Sequence, residues 1–152
     1  MSDFWDYRGW ERREENNNWQ DIHGDNLEYR ADGLMNLAMN NGLEDDSLEK
    51  TIVYLASAND INRQIERLPE LLHGLLALGD CYLKQGKADE VRAVAIEAQK
   101  IALETFNDKA RAYAIHMQGY NSFVTKNYNE AAHFAINAGE IYEEAASFDE
   151  AC

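Results

Sequence analysis

The side chains able to carry chemistry in this chain are scattered. Its four histidines are His23, His73, His116 and His133, and a lone histidine on an amphipathic helix is far more often a packing or surface residue than a metal ligand or a base. The adjacent carboxylates Glu14-Glu15, Asp45-Asp46 and Glu143-Glu144 would point in different directions on a helix, so they suit solvated faces better than an acid/base dyad. Cys81 and Cys152 lie far apart, form no C-x-x-C pair and have no histidine at ligand spacing, which favours a buried reduced Cys81 and a free terminal thiol. There is no G-x-G-x-x-G, no phosphate loop ending in Gly-Lys-Ser or Gly-Lys-Thr, no G-x-S-x-G elbow and no H-E-x-x-H. The sequence therefore predicts a protein that is not an enzyme, with no catalytic residues, no metal and no cofactor.

A second kind of chemistry, that of association, is better represented. All three tryptophans, Trp5, Trp10 and Trp19, fall with Phe4 and Tyr7 in the first nineteen residues, beside the polar run ERREENNN. Each large aromatic buries about 150–250 Å² when covered, so such a cluster is costly to leave in water. Residues 1–24 read as an aromatic-rich arm that caps the helical part of the chain. Trp5, Tyr7, Trp10 and Trp19 also form a second candidate interaction surface, because Trp, Tyr and Arg dominate interface hot spots.

Composition narrows the partners. The 152 residues carry 28 acidic side chains against 14 basic ones, a net charge of −14. That charge repels phosphate backbones and anionic lipid at every distance salt leaves unscreened, so neither nucleic acid nor membrane is an expected partner. No apolar run approaches the roughly 18 residues of a membrane span, and the start lacks the basic-then-apolar order of a secretory signal. A cytoplasmic protein is expected, with one domain's worth of chain.

The elements that must position any site are helices. The stretch 26–41 opens on Asp25 and Glu28 in capping-box relation, places Leu27, Leu34, Leu37 and Ala38 at helical spacing, and stops at Gly42. A second helix over 47–67 is capped by Asp46, and a third begins near Pro69, the only proline, and stops at Gly86. ADEVRAVAIEAQKIALETF, then KARAYAIHMQGYNSFVTK behind Asn107-Asp108, then YNEAAHFAINAGEIYEEAA supply three more. No strand-type alternation interrupts them. The fold class is all-α, with turns near 42–46, 67–69, 86–88, 106–108 and 126–128.

Three segments repeat a pattern: GDCYLKQGKADEV at 79–91, GYNSFVTKNYNEA at 119–131 and GEIYEEAASFDEA at 139–151. Helices joined by turns this short run antiparallel to their neighbours, and hairpins at a fixed period stack. Two backbones approach closely only where small residues face each other, which is the role expected of Gly79 and Gly119 in first helices and of Ala95, Ala98, Ala131, Ala135 and Ala138 in second helices.

These residues resemble the tetratricopeptide repeat (TPR), whose first helix carries a large apolar residue, then Leu-Gly, then Tyr, and whose second carries Ala, an aromatic and Ala. Here Leu75, Leu78, Gly79 and Tyr82 precede Gly86, Val91, Ala95 and Ala98. In the next pair Ile115, Gln118, Gly119 and Ser122 precede Tyr128, Glu130, Ala131, Ala135 and Ala138. The hairpin period is forty residues where the family has about 34, a long-period variant. Leu103 replaces the family's proline, and Met39 stands where the first pair would have its glycine.

The resemblance implies a short right-handed α-solenoid of stacked antiparallel hairpins over residues 25–152: a degenerate hairpin at 26–67, repeats at 69–105 and 108–146, and the start of a further helix at 147–152. It also implies a concave groove built from first helices, where His73, Leu76, Asp80, Leu83 and Lys84 of one hairpin and Tyr113, His116, Tyr120 and Phe123 of the next would face a partner. Tyr113 and Tyr120, seven residues apart, would present two rings in line. The implied function is a protein-interaction module, an adaptor, scaffold or chaperone-like part, binding an apolar or amphipathic segment with basic flanks. Two other readings stand beside it: a sensor or accessory domain that takes a small molecule or short signalling peptide in the same groove, and a structural domain that self-associates.

Overall fold

The computed structural model describes residues 26–151 as six α-helices and their turns, with no strand among them. They are α1 (Leu27–Asn41), α2 (Leu48–Gln64), α3 (Leu68–Gln85), α4 (Ala88–Glu104), α5 (Asp108–Val124) and α6 (Tyr128–Ala151). The all-α class is as the sequence predicts, and among the described residues no helix is long and apolar enough to cross a membrane.

Helix starts follow local hydrogen bonding more than residue type. The N-cap of α1 is Asn26, whose Oδ1 accepts from the Glu28 and Tyr29 amides at 2.9 and 3.4 Å. Asp25, the cap expected from sequence, lies outside the described residues. At α2 the flanking residue is Ser47, one position beyond the expected Asp46. Its hydroxyl donates to the Asn41 carbonyl at 3.0 Å, so it is spent on the α1–α2 loop and caps nothing. Asn41 answers by donating to the Ser47 carbonyl and to Thr51 Oγ1 at 2.6 and 2.9 Å.

Four helix ends share one geometry. Glu66, Gly86, Phe106 and Lys126 all have positive φ, between 56° and 71°, and stand twenty residues apart. In each, the amide of the following residue reaches back five positions, as from Lys87 to Tyr82, Asn107 to Ala102 and Asn127 to Ser122, at 2.8–3.0 Å. This left-handed stop satisfies carbonyls that would otherwise be orphaned. It ends α2 at Gln64 rather than at 67. The hairpin period of forty is thus two identical helix-plus-turn units of twenty.

Beyond 146 the expected turn is absent, and α6 runs unbroken to Ala151. Nothing from Glu144 to Ser147 supplies a glycine, a proline or a left-handed stop, and Ala145 and Ala146 favour helix. The separate helix expected at 147–152 is therefore the end of α6.

The chain divides into two compact units, Met1–Cys81 and Tyr82–Cys152, with the boundary inside α3 and not between hairpins. In a helical repeat each element packs mainly on its chain neighbours, so a boundary between compact units falls within a helix as readily as between pairs. In the first unit Met35, Leu55, Leu71, Leu72, Leu75 and Leu76 are fully buried. Arg67, in the α2–α3 turn, ties that unit together. Its Nη1 donates to Asp32 Oδ1 at 3.1 Å and Asn62 Oδ1 at 3.3 Å, and its Nη2 lies 3.4 Å from Glu70 Oε1. Gly74 sits against Asn59, and a methyl group at 74 would overlap the Asn59 carboxamide.

The second unit closes differently. Ala112 and Ile115 of α5 pack with Ala138 and Ile141 of α6, with Phe134 at the edge. Gly119 lets the two backbones meet: a Cβ there would stand 3.0 Å from Phe134 Cβ and 3.5 Å from the Ala131 carbonyl oxygen. Between α4 and α5, Gln118 donates to Gln99 Oε1 at 2.8 Å and Asn121 to the Ala88 carbonyl at 3.0 Å. Gly119 thus takes the crossing position expected of it, and Gly79 is buried.

Candidate functional site

In the second unit, α5 and α6 leave an open cleft of about 410 Å³ between their outer edges. Its α5 wall is His116, Gly119, Tyr120 and Phe123, and its α6 wall is Tyr128, Ala131, Ala132 and Ala135. Small side chains on α6 make the hollow, because alanine at 131, 132 and 135 leaves the space a larger residue would fill. Aromatic side chains rim it. Tyr120 is 53% exposed, Phe123 58% and Tyr128 58%. The Phe123 and Tyr128 rings meet edge to face with centroids 5.7 Å apart, a preferred aromatic geometry that holds both at the mouth.

The turn positions this pair. The left-handed Lys126 reverses the chain, and Asn127 caps the reversal through its bond to the Ser122 carbonyl, so Phe123 and Tyr128 flank the turn on one side. A cleft built this way offers apolar surface with few directional groups, chiefly the His116 imidazole and the tyrosine hydroxyls. Among the described residues no three His, Cys, Asp or Glu side chains gather as a metal site.

Of the nine groove residues read from sequence, three line this cleft: His116, Tyr120 and Phe123. Three others are buried and cannot face a partner: Leu76, Asp80 and Tyr113, the last only 9% exposed. The expected pair of in-line rings at 113 and 120 is therefore not formed. α5 is buried from Ala110 to Ser122 at all but a few positions, Tyr113 among the buried ones, and the exposed α5 residues that reach the cleft are His116, Tyr120 and Phe123. His73 and Leu83 are half-buried, and Lys84 is exposed. Burial lowers the His73 pKa from its ordinary 6.5 against the raising effect of nearby Glu70. His73, Leu76 and Asp80 belong to the first unit and the other six residues to the second. Trp5, Tyr7, Trp10 and Trp19 lie outside the described residues.

Sequence reasoning placed Ala131 and Ala135 as packing residues and did not count Tyr128 or Ala132 among the partner-facing ones. The signal was present in Phe123 and Tyr128, two aromatics on either side of the short turn near 126. Compared with known proteins, the chain matches no family model, no curated protein and no solved structure.

Proposed function

We propose that this protein is a non-catalytic, cytoplasmic interaction module of TPR-like type, and that the α5–α6 cleft seats an apolar or amphipathic segment of another protein. One observation carries this reading: three half-exposed rings, Tyr120, Phe123 and Tyr128, gathered around an apolar hollow. Exposed aromatics grouped at a concavity are the composition of an interface hot spot. The volume falls within the roughly 300–1,000 Å³ of small-molecule pockets, but such pockets fix their ligand with several converging polar groups. Here the walls are ring and methyl, which suits a side-chain anchor of a peptide better than a metabolite.

The test is a peptide-display selection against the full chain, repeated with Tyr120→Ala/Phe123→Ala. Both rings are largely solvent-exposed, so the double variant should keep its helical content and melt near the wild-type temperature. Affinity for selected apolar peptides should fall about 100-fold, as expected for loss of two hot-spot side chains. Selected peptides that bind the double variant as tightly as wild type would remove the cleft from the binding surface.

A further inference from the structure

The twenty-residue period gives each position of α6 a counterpart on α5. Ala112, Ile115, Gly119 and Ser122 of α5 are all buried. Their counterparts Ala132, Ala135, Gly139 and Tyr142 are all exposed. On α5 this face lies under α6, so close at Gly119 that an added Cβ would press on Phe134. On α6 nothing lies within 4 Å of the same atom built at Gly139. On α4 the counterparts are mixed: Ala95 and Ala102 are buried, Gln99 is half-buried and Arg92 is exposed. The exposed α6 face continues the cleft: Tyr128, Ala132, Ala135, Gly139, Tyr142 and Ala146 follow one another at i+3 and i+4 along a single stripe, whose first half is the cleft wall.

Charge selects what can lie there. Between 128 and 151 the sequence holds six carboxylates, Glu130, Glu140, Glu143, Glu144, Asp149 and Glu150, and no lysine or arginine. Glu140, Glu143 and Glu144 are exposed beside the second half of the stripe. A second copy docked through the same face would bring these carboxylates against their own kind, and like charges set directly across an interface cost several kcal/mol. Residues 1–24 of this chain are also net acidic, six carboxylates against three arginines.

We propose that the outer face of α6 receives an amphipathic α-helix of another protein, packed closely at Gly139, with lysine or arginine along the edge that meets Glu140, Glu143 and Glu144. This rests on the interaction-module reading and deepens it: the cleft anchors one apolar side chain of the helix, and the rest of the face sets its conformation and charge. A helix is specified over an extended strand because a glycine at a crossing admits a rod against a rod, as α6 lies against α5 at Gly119.

The experiment uses the full chain and two synthetic 20-residue helical peptides with one identical Leu/Ala face, one flanked by lysine and the other by glutamate, measured by calorimetry. The lysine peptide should bind at least about tenfold tighter at low salt, with the gap shrinking as salt rises. Gly139→Leu should weaken that binding by about tenfold or more through lost close approach, while leaving the melting temperature unchanged or higher because leucine favours helix over glycine. Glu140→Lys/Glu143→Lys should reverse the preference between the peptides. Equal binding of both peptides, or indifference to Gly139→Leu, overturns the proposal even if Tyr120→Ala/Phe123→Ala still abolishes binding, in which case the cleft alone survives. Loss of binding in the Gly139 and charge variants with full retention in the Tyr120/Phe123 variant upholds the α6 face and removes the cleft. A concentration-dependent dimer broken by Gly139→Leu would assign the face to a second copy. A shift in tryptophan emission on that substitution in the free protein would assign it to residues 1–24, which hold every tryptophan. Either result overturns the proposal.

Discussion

The two compact units solve the same problem, how to hold three successive helices together, with different chemistry. The first concentrates its ties in one polar knot, where Arg67 joins Asp32 of α1, Asn62 at the end of α2 and Glu70 at the start of α3. The second spreads its ties over small apolar contacts, Ala112, Ile115, Ala138 and Ile141, and over the close approach at Gly119. A knot makes the polar join of the three helices depend on a single side chain, beside the buried Met35 and leucine core. Distributed packing makes the join depend on shape, and it leaves an outer edge free for aromatics.

The sharpest way to break the contrast is Arg67→Ala. It leaves Asp32 buried without its guanidinium, and removing one partner of a buried pair costs about 3–5 kcal/mol. Urea denaturation should show the loss, and a loss below about 1 kcal/mol would mean that the knot is a surface ion pair in energy if not in position. Next in size is Gly119→Leu, which must push Phe134 and the α6 backbone aside and should cost about 1–3 kcal/mol by overpacking. Its partner experiment, Gly139→Leu, meets empty space and should not destabilise. Equal costs at the two glycines would erase the distinction between a covered and a bare face.

The smallest effect concerns the turns. Phe106 holds a left-handed backbone while its side chain is 92% exposed, so the ring contributes no packing to offset the strain. Phe106→Gly should stabilise the second unit by about 1 kcal/mol, since a left-handed non-glycine residue costs about 1–2 kcal/mol. Gly86→Ala should destabilise by a similar amount. A fall in melting temperature for Phe106→Gly would show that the ring is held by something other than its turn.

These turns also show where sequence was readable. Gly86 announced its stop, because glycine is the residue that adopts positive φ without strain. Glu66, Phe106 and Lys126 adopt the same conformation with no matching signal in residue type, so α2 was read three residues too long at its end. Helix number and the crossing at Gly119 were legible because apolar periodicity and small residues encode them directly. The site was legible only in part. Tyr113 and Tyr120 share a seven-residue spacing that marks one face, yet burial depends on which helices surround each end of α5, and spacing carries no record of that. The start of α2 was read one residue early because Asp46 has the residue type of a cap, whereas the flanking position is Ser47, whose hydroxyl bonds the α1–α2 loop.

The equal spacing of the left-handed stops makes the chain intolerant of one kind of genetic accident and permissive of others. A single-codon insertion within α5 would rotate every residue behind it by about 100°, turning Ser122 outward and severing the close approach on one side of Gly119. The same insertion between Asp45 and Asp46, both exposed in the one connection among the described helices that lacks this stop, would lengthen a surface loop and leave the helical phase on either side intact. Duplication of a whole twenty- or forty-residue block would preserve phase as well. Length variation in related chains should therefore cluster at the α1–α2 loop or come in steps of twenty.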